Sequence, residues 1–151
     1  MCGAVRYSVD GEERVVWAGN VGTELPVLRR GGGVDLVPWG SCADGLLGSP
    51  DSPGYFLRLK QGYWVDLSTV QAGEWWQYRP KPVRISAIAF GFYDGEFDRW
   101  VELKPGEFIQ GALLELYSRR VVYVVTVLPP AKYANAKPAW PRIVRTPARV
   151  V

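Results

Sequence analysis

The stretch that decides the fold is Val121-Val-Tyr-Val-Val-Thr-Val-Leu128, in which seven of eight residues are β-branched or aromatic. Such side chains pack well on a pleated surface and favour an extended backbone. A strand with one wet face would alternate apolar and polar residues, and this one does not. It is therefore expected at the centre of the fold, covered on both sides. Similar short runs lie outward from it at residues 15–18, 25–29, 34–39, 55–59, 63–67 and 83–92. Gly, Pro or Asp-Gly clusters part them at intervals of roughly 8–12 residues, the pattern of a β-barrel or sandwich. Residues 30–34, Arg-Gly-Gly-Gly-Val, join two of the runs as a hairpin turn. Residues 41–54 lack periodicity and read as a loop.

Helical signals are few. Residues 69–76 fit one short helix. Residues 104–116 fit a helix through the stripe of Phe108, Ile109, Ala112 and Leu113, or a strand pair, because Gly106 and Gly111 weaken the helix. No repeat and no linker interrupts residues 1–151, so a single domain is expected. With 151 residues it would bury roughly 70% of the surface exposed by the unfolded chain.

Composition narrows the chemistry. The chain has no His, which excludes internal Ser-His-Asp or Cys-His pairs and His metal ligands. Two cysteines, Cys2 and Cys42, are too few for a Cys-only zinc site, so neither a metal nor a cofactor is expected. No uncharged run reaches 18 residues, and MCGAVRYS has no basic segment ahead of an apolar one. The expectation is a cytoplasmic protein with no membrane span and no signal peptide. Net charge is +3, with 13 Arg against 5 Lys, and Lys132 to Val151 carries five basic residues and no acid. The guanidinium fork suits phosphate oxygens, although a solvated basic tail explains the last stretch equally well.

Cys2 is the sharpest candidate for chemistry. If Met1 is removed, Cys2 bears a thiol beside a free α-amine whose ordinary pKa lies near ~7.7–8.0. That 1,2-aminothiol needs no histidine: the amine condenses with an aldehyde, and the thiol closes a thiazolidine ring. Cys2 is equally explained as a small residue at a processed terminus.

Several segments together resemble the SRAP family, the SOS-response-associated peptidase domains. They are Met1-Cys2-Gly3; Asn20-Val21 with Leu25-Pro26-Val27-Leu28-Arg29; and Val37-Pro38-Trp39-Gly40. Further on, Arg84-Ile-Ser-Ala-Ile-Ala-Phe-Gly-Phe-Tyr-Asp94 is similar to the family segment ending ADGFYEW. Residues 122–127 (VYVVTV) are similar to its core strand, and Ala139-Trp140-Pro141-Arg142-Ile143-Val144 to its closing HxRMPxIL. The run from Arg99 to Gly111, W…LKPGEFIQG, is similar to shortened phage-type members. These matches follow family order over most of the chain.

The resemblance implies a predominantly β, α+β fold with a barrel-type sheet and few short helices. It implies binding of single-stranded DNA, with Cys2 capturing the ring-opened aldehyde of an abasic site as a thiazolidine crosslink. The same cysteine would release its own Met1. Asp94 stands at the family's catalytic Glu and Lys137 at or near its His, so the implied catalytic set is Cys2, Asp94 and Lys137. The implied DNA contacts are Arg6, Asn20, Arg84 and Arg142. Three positions depart from the pattern: Trp64 replaces an Asn, with Asp66 as the nearest stand-in, Asp94 is one methylene short, and Lys137 replaces the proton-relaying His. Ala4 also replaces an Arg. Those departures motivate the alternative of a binding or interaction module on the same fold without chemistry; a β-rich structural protein of a phage particle is a third reading. Asp94 is also explained as a turn residue in Tyr-Asp-Gly. The chain's tryptophans read as base-stacking surfaces or as core.

A second likeness is short. Residues 1–12, MCGAVRYSVDGE, are similar to the opening of glutathione-dependent formaldehyde-activating domains. That family needs several further cysteines for zinc, and only Cys42 remains.

Overall fold

The computed structural model describes residues 3–41, 46–48, 56–58, 62–116, 119–137 and 140–145. In chain order the first strands are β1 (Ala4–Val9), β2 (Glu12–Trp17), β3 (Glu24–Leu28), β4 (Val34–Pro38), β5 (Leu46–Gly48), β6 (Phe56–Arg58) and β7 (Trp64–Asp66). One short helix, α1 (Leu67–Gln71), follows. Then come β8 (Lys81–Ile85), β9 (Ala89–Tyr93), β10 (Asp98–Glu102), β11 (Glu107–Leu116), β12 (Arg119–Val127), β13 (Trp140–Pro141) and β14 (Ile143–Arg145). The fold is predominantly β, as the sequence leads one to expect.

The strand at residues 119–127 is central. Val122 and Val124 of β12 enter one core with Leu25, Val37, Ile85 and Ile109 of the larger sheet and Val5, Tyr7, Phe90 and Phe92 of the smaller. Val121, Tyr123 and Val125 point the other way, into a second cluster with Trp75, Tyr78 and Val65, against which Leu67 and Val70 of α1 pack. Alternate residues of a strand face opposite sides, so β12 is buried on both because each face meets a separate apolar layer.

The smaller sheet runs β10-β9-β1-β2 and the larger β13-β12-β11-β8-β3-β4, with β14 on β11 and β7 on β12. The larger sheet curls until Trp39, just past β4, bridges Val122, and the Gly40 N–H donates to the Val122 carbonyl at 2.8 Å. Among the described residues it does not close as a barrel. β7 runs parallel along Val124 to Thr126 of β12, and the described backbone pairing between the end of β4 and β12 is confined to that bridge. The expected barrel-type sheet is therefore a curled, open one.

Three local expectations resolve. The Arg-Gly-Gly-Gly turn is a hairpin, with Arg29 N–H bonded to the Gly33 carbonyl at 3.0 Å and left-handed φ at Gly32 and Gly33. Within residues 104–116 the structure has a turn at 105–106 and then the single strand β11 in place of a helix or a strand pair, and Gly111 shows why: a Cβ there would lie 2.8 Å from Val122 and 2.9 Å from Ile85. The glycine that weakens a helix is the one that lets three strands approach. Helix α1 starts two residues earlier than expected, because Asp66 caps it by accepting from Ser68 N–H at 3.2 Å.

Residues 83–92, read as one run, are two strands in different sheets. The chain turns at residues 86–88, where Ser86 N–H bonds Pro26 of the larger sheet and Ile88 N–H bonds Arg6 of the smaller. Both halves are apolar because both face the shared core, so hydropathy carries no mark of the corner.

Candidate functional site

Strand β9 organises the catalytic candidates. Its Gly91 pairs with Ala4 of β1, and Gly3 follows on, lying so close to the Trp64 ring that a Cβ on Gly3 would meet it at 2.8 Å. Trp64 in turn packs edge-on against Trp39, 5.3 Å between centroids. Two residues beyond Gly91, Tyr93 exchanges both backbone hydrogen bonds with Lys137, at 3.0 and 2.9 Å. By register Lys137 takes the slot beside β9 into which β1 would otherwise extend. Asp94 is the next residue. Positions 3, 64, 94 and 137, far apart in sequence, thus gather around the end of β9. Cys2 and Cys42 lie outside the described residues.

Asp94 is fully engaged. Its Oδ1 accepts from the backbone N–H of Glu96 and of Phe97, each at 2.8 Å, and its Oδ2 from Arg99 Nε at 2.6 Å. The Phe97 N–H, then the Arg99 guanidinium, then the Glu96 N–H stabilise the anion and hold its pKa at about 2. The same contact raises the pKa of Arg99. A carboxyl ionised this firmly does not donate a proton near neutral pH, so the acid half of the expected acid-or-base role does not follow from this geometry. What the geometry provides is an Asp-Gly turn clamped by an arginine. The turn leads into a cleft of about 520 Å³ lined by Asp94, Arg99, Lys132, Tyr133 and Asn135, with Tyr133 stacked on Trp140 at 5.4 Å. Arg99 was missed in the sequence, although an Asp-Gly turn with a cation five residues on is the signal that reveals it.

The linkage has a definite sign. A carboxyl whose folded pKa is depressed adds stability above its ordinary value of 3.8 and loses that contribution as pH falls toward 2. Asp94→Asn is therefore expected to melt below the wild type at pH 6, with the gap closing between pH 4 and pH 2. Melting curves across that range check it, and a gap constant with pH would refute it.

The DNA-contact candidates divide. Arg6 lies between the core residues Val5 and Tyr7, so it faces out of the smaller sheet. There its Nε is 3.3 Å from Glu13, its Nη2 3.4 Å from Glu102, and its guanidinium stands over Trp100. Arg84 and Gln110 neighbour the core residues Ile85 and Ile109 and face out of the larger sheet. Arg84 is paired with Gln110 in register, and the Gln110 side chain accepts from Arg142. Arg84 and Arg142 are thus brought together, while Arg6 points away on the opposite side and is matched by acids. Asn20 sits in an exposed turn, where its carbonyl accepts from Thr23 Oγ1 at 3.1 Å.

Other candidates take structural places. Asp66, the possible stand-in for the family's Asn, is occupied as the helix cap. Of the adjacent tryptophans, Trp75 is core and Trp76 is 77% exposed. Among the described residues, no three His, Cys, Asp or Glu could together hold a metal ion, and no helix is long and apolar enough to cross a membrane. In comparisons with known proteins, no family model, no curated protein and no solved structure matches the chain.

Proposed function

We propose that the chain is an SRAP-like single-stranded-DNA-binding protein whose Cys2, once Met1 is removed, captures the aldehyde of an abasic site. The α-amine would attack the carbonyl carbon and water would leave as the imine forms. The thiol sulfur would then add to the imine carbon, its proton passing to nitrogen, to close the thiazolidine. No oxidant or metal enters that balance.

The observation that carries the reading is the gathering of Gly3, Trp64, Asp94 and Lys137 around the end of β9. The resemblance alone picked those positions, across more than a hundred residues of chain. Asp94 would act by clamping the turn through Arg99, and Lys137 would supply positive charge near the strand's phosphates. The second reading, a binding module without chemistry, draws on the bonding of Asp94, which leaves the site without a carboxylic acid to relay protons.

The test starts from the mass of the purified protein, which reports whether Met1 is gone. Protein with a free Cys2 terminus, incubated with single-stranded DNA carrying one abasic site, is expected to give a heat-stable adduct on a denaturing gel. Cys2→Ala should give none. If verified Cys2-terminal protein forms no adduct, the chemical reading fails and the binding-module reading is the one left.

A further inference from the structure

We infer that the chain forms a twofold dimer in which β2 pairs antiparallel with β2 of a second copy, joining two four-stranded sheets into one continuous sheet. β2 is an outer strand of the smaller sheet and, among the described residues, pairs with β1 alone. The ladder shows which of its backbone groups are left over. Ala18 N–H donates to the Gly3 carbonyl at 2.9 Å, one step beyond the pairing of Ala4 with Trp17. In an antiparallel ladder, pairs that exchange hydrogen bonds alternate with pairs that do not. Val16, Arg14 and Glu12 therefore bond to β1, while Glu13, Val15 and Trp17 turn their N–H and C=O groups to the open edge. The Trp17 carbonyl accepts from Asn20 N–H at 3.2 Å. The other groups on this edge meet no partner among the described residues.

Charge picks both the occupant and the register. A copy of β2 centred on Val15 engages all three open residues: Val15 faces Val15, and Trp17 faces Glu13 on either side of it. On the other face of the ribbon Arg14 then faces Val16 and Glu12 faces Ala18, so no two like charges stand opposite. Moving the axis to Arg14 sets Arg14 against itself, and moving it to Glu13 does the same to Glu13. Like charges directly opposite destabilise a sheet. Moving it to Val16 sets Glu13 against Gly19, whose φ of +97° ends the strand. The charges that guard this edge against other strands therefore tolerate a second β2. The opposite outer strand, β10, fails the same test. Leu103 N–H bonds the Ile88 carbonyl at 2.8 Å, so Asp98, Trp100 and Glu102 face its open edge. A copy of β10 centred on Trp100 would set Asp98 against Glu102.

Val15 adds the apolar contact. It is 46% exposed and lies beside Arg6 on the outward face, where a β-branched side chain gains by meeting its counterpart across a ladder. One strand pair buries less than the roughly 1,200 Å² of a stable interface, so the dimer is reversible. The inference does not rest on the proposed function, because β1 separates β9 from the β2 edge.

Sedimentation velocity under reducing conditions, from about 5 to 500 μM protein, is expected to show a mass rising from 16.9 kDa toward twice that value. Val15→Pro removes only an N–H that points to the open edge, where proline is tolerated. It should melt near the wild type and associate roughly tenfold or more weakly. Val15→Lys and Val15→Glu should each stay monomeric alone and associate when mixed, because this register places residue 15 against itself. Asp98→Lys, on β10, should associate as the wild type does. The dimer is overturned if the wild type stays monomeric throughout, or if Val15→Pro associates as the wild type does. It is overturned equally if the Lys and Glu variants associate no more when mixed than alone, or if Asp98→Lys loses association as Val15→Lys does. Should Val15→Pro unfold, the mixture decides. Adduct formation at Cys2 of the wild type is scored separately, so either idea can fail alone.

Discussion

Tyr123→Ala is expected to lower stability by about 3–5 kcal/mol and Val124→Ala by about 2 kcal/mol, though the two side chains point in opposite directions from β12. Tyr123 is fully buried and meets Trp75 edge-on at 5.0 Å between centroids. Its removal would leave a void bounded by Trp75, Tyr78 and Val65, none of which belongs to the core between the sheets. Val124 is equally buried, but in that inter-sheet core. A typical domain holds roughly 5–15 kcal/mol in total, so the first change alone removes a large part of it. Urea midpoints at unchanged m-value measure both losses. A strand with one wet face would respond at alternate positions only, as β1 should: Ser8→Ala is exposed and belongs within about 0.5 kcal/mol of the wild type. If either β12 variant lost less than about 0.5 kcal/mol, the face it occupies would not be packed and the doubly covered strand would be the wrong description.

That strand was legible in the sequence because its burial is symmetrical. Seven branched or aromatic residues without alternation admit few other places in a β-rich fold. Strands β1 and β10 escaped the same reading for the opposite reason. Each puts a face on solvent, so Arg6 and Ser8 interrupt β1, and Asp98, Arg99 and Glu102 interrupt β10. Their membership comes from pairing with β9, a long-range partner that local composition does not report. The break at residues 86–88 was invisible because hydropathy records burial, not which sheet does the burying. β11 was ambiguous until the neighbours of Gly111 were known.

The candidate site divides along the same line. Asp94 was visible both as a turn residue and as a possible acid, and three donors decide between them, two of them backbone N–H groups whose aim depends on the turn itself. Arg84 and Arg142 share a face only because β8, β11 and β14 are neighbours, which no spacing within the chain encodes.

Gly40→Ala is expected to be the most damaging alanine substitution among the described glycines, costing about 2–5 kcal/mol. Gly40 has φ of +64°, where a Cβ is strained by about 1–3 kcal/mol. The new methyl would also lie 2.3 Å from the Gly62 carbonyl oxygen and 2.8 Å from the Tyr63 Cα, backbone atoms that no rotamer change can move aside. Those atoms are held in turn. Ser41 and Gly62 exchange backbone hydrogen bonds at 2.9 and 2.8 Å, and Trp39 Nε1 donates to the Tyr63 carbonyl at 3.0 Å. Relieving the clash therefore means opening the corner that turns the end of β4 onto β12. The consequence reaches the end of β9, because Trp39 supports Trp64 and Trp64 lies on Gly3. A fall in Tm of roughly 10 °C is expected at a loss of this size. It should come with a weaker near-ultraviolet circular dichroism signal from the perpendicular Trp39–Trp64 pair, even where the variant remains folded. Gly62→Ala is the fitting control, since its φ is also left-handed but a Cβ there meets nothing within 4 Å. It should lose only the backbone strain and keep the tryptophan signal. Equal losses from the two substitutions would mean that the close approach at Gly40 carries none of the effect, and that the corner is not what holds Trp64 against Gly3.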